Sequence, residues 1–216
     1  MNLGVLFSGG KDSYLAMHIA SETHELSCLL TINSSNPDSW MFHTPAIEWT
    51  KLQSQSLKIP QIIQNTKGVQ DKELDDLFEL IEKGKNQYSI EGIVTGALAS
   101  TYQSTRIQKI CNDLNLWCFN PLWQMSQETL LEELIENNIE SIITGVAAEP
   151  FDDEWLGREI NLECINDLIK LKGSHRINPA GEGGEIESFV INAPLFNSKL
   201  EICLLYTSPS PRDWLQ

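Results

Sequence analysis

The stretch "LFSGGKDSYLA", residues 6–16, joins an apolar run to an amphipathic segment through a pair of glycines. Residues 3–7 are typical of a short buried strand, and from Ser13 onward the apolar residues recur at helical spacing. Gly9 and Gly10 give the turn a backbone that can adopt positive φ and approach a ligand closely. This strand–turn–helix unit predicts the beginning of an α/β fold.

The same turn has the composition of a phosphate-binding loop. A helix N-terminus offers unpaired N–H groups and the positive end of a dipole to an anion. Lys11 adds a cation, Ser8 and Ser13 add hydroxyl donors, and Asp12 supplies a carboxylate suited to Mg²⁺. The spacing differs from the Gly-x-x-x-x-Gly-Lys-Ser/Thr loop of kinases and ordinary ATPases. The pattern therefore indicates a phosphate site of another type.

Further strands are expected at 28–32, near 61–63 and near 117–120. Two segments resemble each other, "IEGIVTGALA" (90–99) and "IESIITGVAA" (139–148), and each predicts a strand that ends at Thr-Gly. Strands that alternate with helices favour a parallel sheet. Ligands bind beyond the carboxyl ends of such strands, so we expect Gly96 and Gly145 to share one edge with the glycine turn.

Amphipathic spacing predicts several helices between these strands. Thr44-Pro45 indicates a helix start, with Thr as cap and Pro in the first helical position. Residues 74–81 predict a helix that Gly84 ends. The remaining helices are expected around residues 107–114, 130–135 and 160–169, the last leading to residues 173–175.

Composition narrows the classes of partner. The net charge is −15, and such a surface repels the phosphates of tRNA or DNA. No apolar run approaches the ~18 residues of a membrane span, and the N-terminus lacks a signal-peptide pattern. Five scattered cysteines without a Cys-x-x-Cys pair are typical of reduced thiols in a cytoplasmic protein. We expect a cytoplasmic protein with neither nucleic acid nor membrane as a partner; a homo-oligomer is compatible with these patterns.

A glycine-rich acidic loop precedes the last expected strand, in "INPAGEGGEIESFVINAPLF" (177–196). Glu182, Glu185 and Glu187 lie within six positions of one another, and such clusters are usually solvated. Glycines on both sides of Glu182 favour close approach to a substrate instead. After this strand the character changes again: the Ser-Pro-Ser-Pro-Arg run in residues 203–216 breaks helix and strand alike. We interpret this tail as atypical, compatible with a frame-shifted or vector-derived end, and assign it no function.

Taken together, these segments resemble one family. The loop Ser8–Ser13, "SGGKDS", resembles the PP-loop of ATP pyrophosphatases, which split ATP between its α and β phosphates. The resemblance narrows to the archaeal type of diphthine–ammonia ligase, over about residues 2–202, through "GALASTYQSTRIQKICNDLNL" (96–116), "NPLW" (120–123), "WLGR" (155–158) and "NPAGEGGEIESFV" (178–190). Ile186 and Ser188 stand where that family favours an aromatic residue and Thr.

The resemblance implies a fold and an activity. The fold is a Rossmann-like parallel sheet of the adenine nucleotide alpha hydrolase type, with an ATP-binding domain over 1–125 and a smaller α+β substrate-binding domain over 126–202. The activity is the last step of diphthamide synthesis on translation elongation factor 2. ATP adenylates the diphthine carboxylate and releases pyrophosphate, and ammonia then displaces AMP. The implied reactants are ATP with Mg²⁺, free ammonium and the diphthine-bearing factor.

The resemblance also implies site residues. ATP is bound by Ser8, Gly9, Gly10, Lys11, Asp12, Ser13, Thr31 and Gly96, with Asp12 as the ligand of Mg²⁺ and Thr31 and Gly96 beside the adenosine. The implied catalytic residues are Lys11, Asp12, Arg106, Glu182 and Glu185. The implied substrate-binding residues are Tyr102, Gln103, Arg106, Glu182, Gly183, Glu185 and Glu187.

Several roles have alternatives at this point. Arg106 is either a clamp for a phosphate or carboxylate, or a partner in a surface salt bridge. Glu182 and Glu185 either hold the cationic group of diphthine or ammonia, or accept a proton from ammonium. Arg158 of "WLGR" either anchors the acidic loop or contacts substrate.

Two other functions also stay open. One is an ATP pyrophosphatase that acts on tRNA or on a small carboxylate; the acidic composition and the lack of a cysteine pair weigh against tRNA thiolation. The other is an adenine-nucleotide sensor without turnover, against which the intact Lys11 and Asp12 argue.

Overall fold

A computed structural model describes residues 1–36, 46–69 and 72–202. Its main sheet comprises β1 (Asn2–Leu6), β2 (Glu25–Ser34), β3 (Gln61–Thr66), β4 (Gly92–Val94) and β5 (Trp117–Phe119). The strand order is β3-β2-β1-β4-β5, and every neighbouring pair is parallel. The α/β fold with a parallel sheet is therefore confirmed.

The helices are α1 (Lys11–Ser21), α2 (Thr50–Leu57), α3 (Glu73–Tyr88), α4 (Thr101–Asp113), α5 (Gln127–Glu136) and α6 (Leu162–His175). Side-chain caps fix several of their starts: Ser100 accepts from the backbone N–H of Gln103, and Asn161 accepts from that of Cys164. Within the described ranges, no helix has the length and apolar character needed to cross a membrane.

The observed end of α3 differs from the predicted one. The prediction that Gly84 ends a helix is wrong, because α3 continues to Tyr88 and ends at Ser89, whose φ of 52° is left-handed. Gly84 is buried instead, and a Cβ there would lie 3.0 Å from Leu30 Cδ2, so the glycine lets α3 pack closely on β2. The expected helix start at Thr44-Pro45, like the tail 203–216, lies outside the described residues.

The second copy of the short repeat belongs to another sheet. Strand β6 (Glu140–Val146) pairs antiparallel with β7 (Ile186–Asn192), and Gly145 lies inside β6 opposite Glu187. The expectation that Gly145 follows a strand of the parallel sheet is therefore wrong. The repeat correctly indicated a strand, but strand pairing depends on the partner, and β7 provides an antiparallel one.

The core is continuous across the two halves of the chain. One buried cluster joins Val5 of β1 and Leu15 of α1 to Leu131 of α5, Leu168 of α6 and Val190 of β7. A second cluster, with Leu30, Leu77, Ile93 and Ile110 among its members, includes residues of α3 and α4. Helices thus cover both faces of the sheet, as burial of parallel strands requires.

Candidate active site

A cavity of about 650 Å³ lies at the carboxyl ends of β1 and β4. We call residues 8–13 the nucleotide loop and residues 177–185 the acidic loop; both contribute to this cavity. Its polar wall includes Ser8, Asp12, Ser13, Thr95, Gly96, Ser100, Gln103, Glu182, Gly183 and Glu187. Its apolar wall includes Leu6, Leu30, Ile32, Ile47, Leu77 and Ile107. An apolar wall beside hydroxyl and carboxylate groups suits a ligand with one apolar and one charged end.

The nucleotide loop forms a tight turn at the start of α1. Gly9 has φ of +82°, a left-handed value that favours glycine. Ser13 Oγ donates to the Gly10 carbonyl at 3.0 Å and lies 3.1 Å from Ser8 Oγ. The first turn of α1 also contributes backbone N–H groups that have no partner within the helix. This arrangement suits an anion at the helix N-terminus.

Lys11 and Asp12 place opposite charges in that turn. The Lys11 side chain is buried, and Nζ donates to both carboxylate oxygens of Asp12, at 2.9 and 3.0 Å. Asp12 lines the cavity while Lys11 lies behind it. A buried ammonium so close to the cavity can stabilise a polyphosphate, because Coulomb interactions are stronger away from water.

The chain after β4 presses against this turn. A Cβ on Gly96 would lie 2.8 Å from the Asp12 carbonyl carbon and 2.9 Å from the Ser13 nitrogen. The close approach requires glycine, since backbone atoms cannot move aside as a side-chain end can. Gly96 therefore brings the edge of β4 into contact with the nucleotide loop.

Glu185 shapes the acidic loop. One carboxylate oxygen accepts from the backbone N–H of Asn178 at 2.9 Å and from its side-chain amide at 2.7 Å. The other oxygen accepts from the Gly183 N–H at 2.8 Å. Gly181 and Gly184 have φ of +78° and +77°, which the turn requires. Glu185 is not among the residues that line the cavity, so its visible role is to hold the loop's shape.

Glu182 and Glu187 do face the cavity. Burial raises the pKa of the Glu187 carboxyl to about 7, although nearby Lys11 opposes this effect. Desolvation, followed by the charge of Asp12, also raises the pKa of Glu182; Lys11 and a hydrogen bond from the Ala99 backbone act in the opposite direction. The two glutamates and Asp12 thus form one electrostatic group around Lys11.

Thr31 does not reach the cavity. Its side chain is buried, its hydroxyl donates to the Phe7 carbonyl at 2.7 Å, and it accepts from Gln61 Nε2 at 2.8 Å. Its neighbours Leu30 and Ile32 line the cavity instead, because successive strand residues point to opposite faces. Thr31 therefore holds the carbonyl of Phe7, the residue that directly precedes the nucleotide loop.

The start of α4 contributes unequally. Gln103 lines the cavity, whereas Tyr102 and Arg106 are not among its lining residues. The Arg106 guanidinium carbon lies 3.4 Å from the Tyr102 ring centroid, and Nη1 donates to the Tyr102 carbonyl at 3.1 Å. Nε of Arg106 is buried without a hydrogen-bond partner in the described ranges. No carboxylate there forms an ion pair with Arg106, so the surface-salt-bridge alternative has no support from the described residues.

Arg158 has a partner that neither alternative anticipated. Its guanidinium donates to Asp167 of α6 at 2.6 Å and lies over the Trp155 ring at 4.6 Å. It therefore fastens the "WLGR" segment to α6 and anchors no residue of the acidic loop.

Cysteine and histidine form no metal centre in the residues that the structure describes. The described cysteines, Cys28, Cys111, Cys118 and Cys164, are free thiols. The remaining one, Cys203, and one histidine, His43, lie outside the described residues.

Two further residues at the nucleotide loop could not be identified as such from the sequence. Gln53 is buried in α2, and its amide contacts the Gly9 carbonyl at 2.9 Å. Ser188 of β7 accepts the backbone N–H of Lys11 at 3.1 Å. Neither lies near the loop in sequence, and a glutamine in a polar helix segment carries no signal of burial.

Comparison with known proteins gives matches over most of the chain. The model of the diphthamide synthase N-terminal domain matches residues 1–117, and that of the diphthamide synthase C-terminal domain matches residues 126–214. The second range includes residues 203–214 of the tail.

Curated relatives agree with these matches. A diphthine–ammonia ligase of Rattus norvegicus is 34% identical over 222 residues, which cover 94% of this chain and 83% of the relative. The Homo sapiens relative of the same name is 33% identical, with 93% and 82% covered. That of Schizosaccharomyces pombe is longer, so that a match at 31% identity covers 90% of this chain and 35% of the relative.

Among solved structures, a predicted subunit of tRNA methyltransferase from Methanocaldococcus jannaschii aligns with 90% of this chain and 98% of its own. The TM-score is 0.45 and the sequence identity is 16%, values at which the likeness carries no argument.

Proposed function

The chain belongs to the diphthamide synthase family, and from this membership we propose how its cavity performs the ATP-dependent amidation of diphthine. The protein is a carbon–nitrogen ligase that joins ammonium to the diphthine carboxylate of translation elongation factor 2 and yields diphthamide. One observation carries the assignment to the cavity: the nucleotide loop and the acidic loop, far apart in sequence, line the same 650 Å³ space.

The first half-reaction activates the carboxylate. A carboxylate oxygen of diphthine attacks the α-phosphorus of ATP, and the bond from this phosphorus to the oxygen shared with the β-phosphate breaks. Pyrophosphate leaves, and the product is an acyl-adenylate in which that carboxylate oxygen joins AMP to the acyl carbon. Lys11 and the N–H groups at the start of α1 stabilise the charge that develops on the leaving pyrophosphate. Ser8 and Ser13 donate hydroxyl hydrogen bonds to the phosphates, and the apolar wall with Leu30 and Ile32 receives the adenine.

The donors at the loop fit Mg²⁺. Asp12 offers a carboxylate at the wall of the cavity that Ser8 and Ser13 also line, and hard oxygen ligands are those that Mg²⁺ prefers. When bound beside ATP, this ion supplies charge neutralisation for the phosphates. Asp12 would hold it, and Lys11 would then be released from its partner towards the phosphates.

The second half-reaction forms the amide. The nitrogen of ammonia attacks the acyl carbon, the carbon–oxygen bond to AMP breaks, and the excess proton passes to a base. Glu182 and Glu187 face the cavity, and their negative charge favours both the trimethylammonium group of diphthine and the incoming ammonium. With a pKa raised to about 7, Glu187 can also accept a proton near neutral pH.

The partners follow from this reaction. Diphthine-bearing elongation factor 2 and free ammonium are the proposed substrates, and a translation factor as substrate supports a cytoplasmic location. The net charge of −15 argues against a nucleic-acid partner.

The nucleotide products test the proposal. The protein is incubated with ATP, Mg²⁺ and ammonium, with or without diphthine-bearing elongation factor 2, and the spent nucleotide is separated by chromatography. We expect AMP and pyrophosphate that depend on the factor. ADP as the main product would contradict the mechanism, and pyrophosphate release stimulated by tRNA instead would indicate another acceptor.

A further inference from the structure

We propose that Gln53 and Ser188 are positioning residues that hold the nucleotide loop in its ATP-binding shape, so that β7 completes the phosphate site. Neither side chain is among the residues that line the cavity, and both act on the backbone of Gly9 to Lys11. The inference rests on the proposed function, since it assumes that this loop binds ATP.

Gln53 of α2 connects its own helix to the backbone of the nucleotide loop and to the backbone of β7. Its amide nitrogen donates to the Gly9 carbonyl at 2.9 Å and to the Val190 carbonyl at 2.8 Å. The Val190 N–H also donates to the Gly9 carbonyl, at 3.0 Å. Because both amide hydrogens meet carbonyl oxygens, a flipped amide would set three oxygens against one another. The position of the Gly9 carbonyl is thus fixed from two directions.

Ser188 fixes the other side of the turn. Its hydroxyl accepts the backbone N–H of Lys11 at 3.1 Å, an N–H that has no partner within the helix. Strand β7 lies very close to the loop here: a Cβ on Gly10 would lie 3.1 Å from the Ser188 carbonyl oxygen, and one on Gly9 would lie 3.2 Å from the Phe189 ring. Both glycines therefore serve the approach of β7 as well as that of a ligand.

Helix α2 is itself held in place by buried polar contacts. Gln61 Nε2 donates to Thr50 Oγ1 at 2.9 Å and to Thr31 Oγ1 at 2.8 Å, and Thr31 donates to the Phe7 carbonyl. Buried side chains thus hold the carbonyls of Phe7 and Gly9, on either side of Ser8. At its far end, α2 is tied to the C-terminal half by a hydrogen bond from Ser56 Oγ to the Ser198 carbonyl at 2.6 Å.

The consequence concerns binding more than chemistry. A loop whose N–H groups are already aimed at the phosphates binds ATP without a cost of ordering. Loss of a positioning contact should therefore raise the Kd and KM for ATP, and kcat should change less. Because Glu187 directly precedes Ser188 on β7, the same contacts also fix the position of Glu187 relative to the nucleotide loop.

Two pairs of variants test the inference in the full chain. Gln53→Leu removes the amide at similar volume, and Gln55→Leu on the exposed side of the same helix is its control. Ser188→Ala removes the hydroxyl, and Ser188→Thr keeps it. Titration calorimetry with ATP and Mg²⁺ measures Kd, circular dichroism measures Tm, and pyrophosphate release gives KM and kcat.

We expect Gln53→Leu and Ser188→Ala each to weaken ATP binding by about five- to fiftyfold, the range that one or two lost hydrogen bonds would give. The two controls should stay within about twofold of the parent. Should Gln53→Leu fail to fold, the Ser188 pair decides alone. Folded Ser188→Ala with unchanged Kd, or Ser188→Thr as impaired as Ser188→Ala, would overturn the inference. A parent protein that binds no ATP would contradict the proposed function itself.

Discussion

Glu182 and Glu185 show how two similar residues in one loop acquire different roles. Both carboxylate oxygens of Glu185 accept hydrogen bonds from Asn178 or Gly183, and Glu185 is not among the residues that line the cavity. Glu182 faces the cavity and shares an electrostatic environment with Asp12 and Lys11. The family resemblance implies that both belong to the substrate site, and the spacing of the residues alone cannot say which carboxylate the loop uses for its own turn.

The first prediction separates these roles with Glu182→Gln and Glu185→Gln. For Glu182→Gln we expect nearly normal ATP binding and a ten- to hundredfold slower amide-forming step, roughly the loss of one charge-assisted contact. For Glu185→Gln we expect a lower Tm and faster proteolysis in the acidic loop, since an amide NH₂ would replace one acceptor oxygen. Single-turnover amidation and limited proteolysis measure the two effects. If Glu182→Gln amidates diphthine at the parent rate, the cavity assignment of this residue is wrong.

The second prediction concerns the pH dependence that Glu187 imposes. Burial raises its pKa from 4.5 to about 7. Between these values the folded state binds more protons than the unfolded state, so this group's contribution to stability falls as the pH rises through the window. The group then costs up to about 3 kcal/mol above pH 7. Glu187→Gln should therefore gain stability relative to the parent between pH 5 and pH 8.

Urea unfolding of the parent and of Glu187→Gln at both pH values checks this sign. Glu22→Gln on the surface is the control, and it should show no such trend. A stability difference between Glu187→Gln and the parent that is the same at both pH values would show that Glu187 titrates normally.

At the scale of elements, local patterns were predictable and pairings were not. The β1–turn–α1 unit follows from apolar spacing and the glycine pair, and it carries the nucleotide loop. Apolar spacing and glycines could not predict the residue at which α3 ends, nor the sheet to which Gly145 belongs. A glycine late in a helical pattern predicts a helix end, but Gly84 allows close packing on Leu30 instead, and the partner of β6 lies some 40 residues further along the chain.

The third prediction tests the contact between the end of β4 and the start of α1. In Gly96→Ala the new methyl carbon would meet the backbone of Asp12 and Ser13 below 3.0 Å, so the two elements must separate. We expect a loss of about 1–3 kcal/mol in stability, the usual range for overpacking, and weaker ATP binding. Calorimetric titration and thermal unfolding measure both.

Gly173→Ala is the matched control, because a Cβ there meets nothing within 4 Å and the residue lies in α6. It should be neutral or more stable by up to about 1 kcal/mol. Equal behaviour of the two variants would mean that the close contact at Gly96 does not matter.

At the scale of the whole molecule, the buried core crosses the expected boundary at residue 125. Val5 and Leu15 share a cluster with Leu131, Leu168 and Val190, and Tyr14 accepts a hydrogen bond from the Leu195 N–H at 3.2 Å. Sequence similarity can divide such a chain into two parts, but it does not show whether those parts have separate cores.

The fourth prediction follows from this shared core. We expect the full chain to unfold in a single cooperative transition, with the calorimetric enthalpy equal to the van't Hoff enthalpy. We also expect residues 1–125 alone to lack cooperative unfolding, because a large part of their buried apolar surface would be exposed. Two separate transitions in the full chain would show that its halves are independent domains.

The most direct test of the function follows the nitrogen. The protein is incubated with ATP, Mg²⁺, isotope-labelled ammonium and diphthine-bearing elongation factor 2, and the modified peptide is analysed by mass spectrometry. We expect the label in the amide group of diphthamide, and we expect AMP and pyrophosphate to form in equal amounts. With Lys11→Ala we expect none of these three products. Pyrophosphate release without label in the factor, or full labelling with Lys11→Ala, would contradict amidation at the nucleotide loop.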